Sequence, residues 1–282
     1  MPPDPAILDP VANSLCQQRG YDYVSFLGAG GFKRVYLIRQ GGESRALKLA
    51  ILRPNDARLE RETQALKACN HANIAKIHEA FKHVDNGREF WVSVEELLDG
   101  GTLERKLSLG PMSASEVKGL GIVMADVLMH FRSRKIVHRD IKPANIMYRT
   151  GDTAPVLTDF GVARLLSEST LTHDFLAIGP CTPQYASPEQ LNNEKQLIDF
   201  RTDQFGLALV LSECLLGRHA FQHVGNDLDT AILDVRARNQ LPLQTVNDLT
   251  ARGFNCLVQA LELYPVKRYS NPAEFARVLA VI

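Results

Sequence analysis

The sequence predicts an α+β fold in two lobes: a small antiparallel β-sheet lobe with one main helix, then a larger, mainly helical lobe. Three observations carry that reading. Residues 20–98 hold short β-branched and aromatic runs separated by turn signals. Gly100-Gly101 forms a joint. Across residues 99–282 the apolar spacing becomes helical. Residues 1–19 stand ahead of both as an N-terminal extension, and the prolines in MPPDPAILDP suggest a loose one.

Taken in order, strands are expected at 21–27, 34–39 and 44–51, the last two joined by Gly41-Gly42. A helix over 56–69 follows Pro54. Two more strands, 75–83 and 89–94, flank Asn86-Gly87, a strong two-residue hairpin signal. Ser113-Ala114-Ser115-Glu116 is a capping box that opens a helix running to about 133. Its apolar positions, Val117, Leu120, Val123, Met124, Val127, Leu128 and Phe131, keep helical spacing. Further helices are expected at 202–216, 227–237, 247–261 and 272–281, with no internal repeat.

Composition narrows the function classes. The 282 residues are 45% hydrophobic and 23% charged, ordinary for a globular protein. Thirty-two basic residues balance thirty-two acidic ones, so no global field recruits nucleic acid or an anionic membrane. The longest apolar stretch, 205–217, is too short to span a bilayer and contains Glu213. The N-terminus has no signal-peptide pattern. Cys16, Cys69, Cys181, Cys214 and Cys256 are scattered and odd in number, which favours a reducing compartment over a disulfide framework. The chain reads as cytoplasmic, whole or cut from something longer.

The chemistry begins at Leu27-Gly28-Ala29-Gly30-Gly31-Phe32-Lys33-Arg34-Val35. Three glycines between strands let backbone amides approach an anion closely, which suits a phosphate cradle; a plain turn has the same composition. The run fits GxGxxGxV only in part, because Lys33 takes the third glycine position. In the next strand Lys48 is either a solvent-facing residue or an internal cation. The following helix bears on that choice. Leu59, Leu66 and Cys69 form its apolar stripe, and Glu62 falls on the same face. A carboxylate there needs a cationic partner, for which Lys48 is the candidate, unless an irregular helix exposes it.

The most specific signal is His138-Arg139-Asp140-Ile141-Lys142-Pro143-Ala144-Asn145, followed by Thr158-Asp159-Phe160-Gly161. This pairing of HRDxKxxN with DFG resembles the protein kinase family, in its bacterial, eukaryotic-like serine/threonine branch. The resemblance extends from Gly20 to the C-terminus. It implies ATP and Mg²⁺ as cofactors and protein Ser/Thr hydroxyls as acceptors. Asp140 would take the proton of the attacking hydroxyl, and Lys142 would stabilise charge on the transferring group. Asn145 and Asp159 would hold the metal. Lys48, paired with Glu62, would hold ATP phosphates beneath Leu27, Gly28, Gly30 and Gly31.

By the same resemblance Val35, Ala46 and Met147 would sandwich adenine, though from the residues alone all three are ordinary core. The backbone of Glu96 and Leu98 would bond its edge. Leu66, Ile77, His138 and Phe160 would stack as a spine. Thr182, in Thr182-Pro183-Gln184-Tyr185-Ala186-Ser187-Pro188-Glu189, would contact Asp140 and Lys142. Asp203 would hold the catalytic-loop backbone, and Arg268 would pair with Glu189. Arg139 would bind phosphate on Thr170 or Thr172, giving regulation by autophosphorylation, and Cys181 beside Thr182 is a candidate redox-sensitive thiol. The sequence departs from the family's usual pattern at Lys33, at Ser187 (usually alanine), at Tyr264 (usually aspartate) and at Glu95. Glu95 falls where an apolar gatekeeper is usual; either the register is off by one or the back pocket is polar. The competing readings are a pseudokinase scaffold, opposed by intact Lys48, Glu62, Asp140, Asn145 and Asp159, and an aminoglycoside-type small-molecule phosphotransferase, whose relatives generally lack the Ser-Pro-Glu segment. The protein substrate and the oligomeric state are not legible.

Overall fold

The computed structural model describes residues 5–30, 33–52, 69–159 and 182–282. They fall into two compact units, one holding the described residues up to Asp99 and the other those from Gly100 onward. Among the described residues no helix is long and apolar enough to cross a membrane.

The first unit is a five-stranded antiparallel sheet of β1 (Asp22–Gly30), β2 (Lys33–Gln40), β3 (Glu43–Ile51), β4 (Ile77–Asp85) and β5 (Arg88–Glu96), in the order β1-β2-β3-β5-β4. Asn86 and Gly87 have φ of 48° and 73°, the left-handed pair that a tight β4–β5 hairpin requires. Cross-strand register then sorts side chains by face. Val35 stands opposite Lys48, Lys48 opposite Ser93, and Ala46 opposite Glu95, so these share one face. Tyr36, Leu47, Leu49, Val92 and Val94 have the other parity and point the other way.

That second face is covered by α1 (Pro5–Arg19), where the prolines had suggested a loose extension. Leu8, Val11, Ala12, Leu15 and Cys16 pack into one buried cluster with Tyr36, Ile38, Leu47, Leu49, Phe90, Val92 and Val94. The prolines misled for a physical reason. Pro5 opens the helix, where a missing N–H costs nothing, while Pro10, inside it on the exposed side, forfeits a backbone hydrogen bond that the buried apolar stripe offsets. A polar clamp fixes the helix as well. Asp9 accepts from Arg34 Nε at 2.8 Å, Arg34 Nη2 at 3.2 Å and the Tyr36 hydroxyl at 2.7 Å. Burial, reinforced by the Asp9 carboxylate, pushes the Tyr36 phenol well above its usual range. The expected helix over 56–69 lies outside the described residues except for Cys69.

The second unit is mainly helical: α2 (Leu103–Leu107), α3 (Ala114–Ser133), α4 (Pro188–Leu191), α5 (Phe200–Leu216), α6 (Leu228–Ala237), α7 (Leu243–Ala251), α8 (Asn255–Ala260) and α9 (Pro272–Ala280). A small antiparallel pair, β6 (Ile146–Met147) and β7 (Val156–Leu157), joins them. The capping box is present: the Ser113 hydroxyl accepts from the Glu116 amide, and Glu116 accepts from the Ser113 amide. α3 packs on α5 and α9. Gly121 permits the close approach, since a Cβ there would lie 3.1 Å from both Leu211 and Leu279. α5 is buried on nearly all sides from Thr202 to Ser212. The single helix expected at 247–261 is two, α7 and α8. Gly253 turns left-handed at φ 82° and the Phe254 amide reaches back to the Leu249 carbonyl at 2.8 Å, which ends α7.

Candidate active site

Residues 138–142 run as an irregular loop into a short 3-10 turn, Pro143–Asn145, just before β6, so something other than regular structure must hold the backbone at its start. Asp203, in the first turn of α5 and 2% exposed, supplies the hold. Its carboxylate accepts from the His138 amide at 2.7 Å and the Arg139 amide at 2.6 Å. Gln190 of α4 donates to the Arg139 carbonyl at 2.7 Å. These bonds stabilise an unfavourable backbone: Arg139 has φ 69°, a left-handed conformation that residues other than glycine rarely take. His138 is packing and wiring rather than acid or base. Its Nδ1 accepts from the Asp140 amide at 3.3 Å, so Nε2 carries the proton and donates to the Thr158 carbonyl at 3.1 Å. Burial lowers its pKa, which keeps the ring neutral.

The loop so held presents Asp140. Lys142 Nζ stands 2.9 Å from Asp140 Oδ2, and Asn145 Nδ2 donates to the same oxygen at 3.0 Å. The second oxygen, Oδ1, accepts from both the amide and the hydroxyl of Thr182 at 3.3 Å. Lys142 also donates to Thr182 Oγ1 at 2.6 Å. The Asp140 and Lys142 side chains remain 21% and 23% exposed, open enough to meet a substrate. A fixed, hydrogen-bonded carboxylate beside an ammonium can accept a proton from a hydroxyl while the cation offsets charge forming nearby. Asn145 is itself fixed by donating to the Asp140 carbonyl at 2.7 Å, and its own carbonyl accepts from the Thr158 amide at 2.9 Å. Asp159 comes next in the chain, left-handed at φ 64°.

Because the Asn145 amide nitrogen faces Asp140, its oxygen is the atom turned to other ligands. Asn145 and Asp159 therefore offer hard oxygen donors. Among the described residues no group of three or more His, Cys, Asp or Glu is arranged to hold a metal ion. That donor set fits Mg²⁺, which binds through one or two protein oxygens plus substrate phosphates rather than in an all-protein cage.

In the first unit the sequence-predicted residues occupy the sheet. Leu27, Gly28 and Gly30 lie in β1, with Gly28 opposite Val35 and Gly30 opposite Lys33; Cβ atoms at the two glycines would meet nothing within 4 Å. Ala46 and Lys48 lie in β3, and Glu96 closes β5 with Leu98 just beyond. The Lys48 ammonium stands 2.6 Å from Glu95 Oε2, and the Ser93 hydroxyl donates to Glu95 Oε1 at 2.7 Å. The β3–β5 register puts Glu95 directly opposite Ala46, on the face of Lys48. Glu95 is thus an inward carboxylate, and it is an ion partner of Lys48 that the sequence did not announce. The signal was present as a period-two pattern: 93 and 95 share a face. Met147 lies in β6 of the other unit, bridged to Thr102. Gly31, Glu62, Leu66, Phe160, Thr170, Thr172 and Cys181 lie outside the described residues. The described cysteines, Cys16, Cys69, Cys214 and Cys256, are buried.

Comparison with known proteins bears on this arrangement. A family model described as protein kinase domain matches residues 21–278. The chain is 31% identical over 264 residues to serine/threonine-protein kinase PknB of Mycobacterium leprae, covering 90% of this chain and 41% of that protein. It is 30% identical over 275 residues to serine/threonine-protein kinase PknJ of Mycobacterium tuberculosis, covering 93% and 45%. Against serine/threonine-protein kinase PrkC of Bacillus subtilis the identity is 32% over 209 residues, covering 71% and 31%. The chain therefore spans less than half the length of these relatives.

Proposed function

The chain belongs to the protein kinase domain family, and from that premise we propose that it transfers the γ-phosphoryl group of ATP, with Mg²⁺, to serine or threonine hydroxyls of proteins. The observation that carries the reading is the Asp140 carboxylate, bonded at once to Lys142, Asn145 and Thr182 on a loop clamped by Asp203. Asp140 accepts the proton of the acceptor hydroxyl. Lys142 keeps a positive charge beside the group in transit, and Thr182 holds the carboxylate and the ammonium in register. The backbone around Gly28, Gly30 and Gly31 covers the phosphates, Lys48 with Glu62 binds them, and Val35, Ala46 and Met147 flank adenine, whose edge meets the backbone of Glu96 and Leu98. Asn145 and Asp159 would hold Mg²⁺, which when bound would neutralise phosphate charge. The reading places the domain in the cytoplasm, where ATP is available. Phosphorylation of Thr170 or Thr172 would give Arg139 a dianion to bind and order the segment before Thr182.

The test is transfer of label from γ-labelled ATP to a serine/threonine peptide. Asp140→Asn keeps the size of the side chain and loses its basicity, so turnover should fall by roughly 10²–10⁴-fold with ATP still bound. A variant retaining a third of the wild-type rate would remove Asp140 from that role.

A further inference from the structure

Glu95 is an expensive residue where it sits. It lies in β5, between β3 and β4, with 5% of its surface exposed, and a carboxylate so placed destabilises the fold unless it is paired. Both of its oxygens are engaged. Ser93 donates to one at 2.7 Å from two residues away on the same strand face, and Lys48 approaches the other at 2.6 Å from β3. Register explains why the three meet: Ser93 is directly opposite Lys48, and Glu95, opposite Ala46, is the diagonal neighbour of the lysine. The Lys48 side chain is itself only 12% exposed, so its ammonium is held inside the sheet rather than waving in solvent.

We propose that Glu95 is a positioning residue for nucleotide binding: from within the sheet it fixes the Lys48 ammonium where ATP phosphates are to meet it. The inference rests on Lys48 as the phosphate ligand of the reading above. A lysine has a long, flexible stem, and ordering it at the moment of binding costs rotamer freedom. Glu95 meets that cost in advance, in the fold. An ammonium has three donors, so bonds to Glu95 and to Glu62 still leave one for a phosphate oxygen. Because Ser93 anchors the far oxygen, the carboxylate stays with the sheet and sets the position of the lysine.

The experiment measures affinities of the full chain for Mg²⁺ with a non-hydrolysable ATP analogue, and separately for adenosine, which has no phosphates. Glu95→Gln preserves shape and removes charge. It should weaken the analogue by about tenfold, the scale of one charge-assisted bond, and leave adenosine within about twofold. In a Lys48→Met background the same substitution should have no further effect on the analogue, since what it positions is gone. Equal weakening of adenosine and analogue, or an unchanged or tightened analogue affinity, would overturn the proposal. If Lys48→Met alone binds the analogue as well as wild type, the phosphate-binding role of Lys48 fails instead, a separate outcome. Lys48→Met leaves a buried carboxylate without its cation, so it is the variant most apt to unfold. Should it do so, the analogue-against-adenosine comparison for Glu95→Gln decides the question alone.

Discussion

Across 79 residues of sequence Arg268 meets Glu189 with two parallel bonds, Nη1 to Oε1 at 2.8 Å and Nη2 to Oε2 at 3.0 Å, and both side chains have no solvent exposure. Two charges so deep are tolerable only because the rest of their valence is filled. Arg268 Nε donates to the Glu262 carbonyl at 2.6 Å, Nη1 to the Arg201 carbonyl at 3.0 Å, and Thr202 donates to Glu189 at 2.9 Å. The guanidinium also lies 4.6 Å from the Phe205 ring centroid. Removing one partner strands the other. Arg268→Met should therefore cost about 3–5 kcal/mol of unfolding free energy in urea denaturation. Adding Glu189→Leu should restore part of it, because the orphaned charge goes too. A single-variant loss under about 1 kcal/mol would mean that water reaches Glu189 once the arginine is gone.

At the scale of elements the least expected feature is α1, and its signal was in the sequence all along. Positions 8, 11, 12, 15 and 16 are the i, i+3, i+4, i+7, i+8 stripe of an amphipathic helix. The prolines obscured it, although Pro5 only opens the helix and the cost of Pro10 inside it is offset by the buried stripe. The 247–261 region failed in the opposite sense: its apolar residues read as one helix because a single left-handed glycine, Gly253, is easily passed over. The loop 138–145 was legible because its chemistry demands particular residues at fixed spacing. Its hold on Asp203, 65 residues from His138, came only from resemblance, and Gln190 was not foreseen at all. Lys48 meeting Glu95 was hidden for a related reason, since pairing across strands depends on register that one strand does not encode. The α1 packing is directly testable. Leu15 is fully buried against the sheet. Leu15→Ala should lower stability by about 2–5 kcal/mol in urea denaturation, the cost of a core cavity. A change below about 0.5 kcal/mol would show that α1 leaves the sheet in solution.

For the whole molecule, equal numbers of acidic and basic side chains leave no large net charge to drive acid unfolding near neutrality. The pH response should come instead from buried groups, and two histidines are built alike. In each, Nδ1 accepts from the amide two residues on, at 3.3 Å for Asp140 to His138 and 3.3 Å for Phe221 to His219. In each, Nε2 then donates to a carbonyl, that of Thr158 at 3.1 Å and that of Gln184 at 2.8 Å. A second proton would have to displace a backbone amide from Nδ1 in a buried site. Burial brings the His219 pKa down to about 4, the neighbouring Arg218 adding to the effect against the Gln184 carbonyl. The unfolded imidazole takes its proton below about pH 6.5 while the folded one resists to about 4, so in that window the unfolded state binds more protons and stability falls as pH falls. The full contribution of His219 is about 3 kcal/mol. Glu189 acts lower on the scale. Burial alone would raise it, but the bonds and charge of Arg268 outweigh burial and hold it below the usual carboxyl range. Its stabilisation is present above the unfolded carboxyl value and is lost only as pH falls through the depressed folded one. The two effects therefore separate. His219→Gln keeps a donor for the Gln184 carbonyl and cannot titrate, so its unfolding free energy should decline less steeply than wild type between about pH 6.5 and 4.5, the slope that remains coming from His138, whose pKa burial also lowers. Urea denaturation of both proteins at several pH values in that window measures the difference, and parallel slopes would mean that His219 is protonated in the fold.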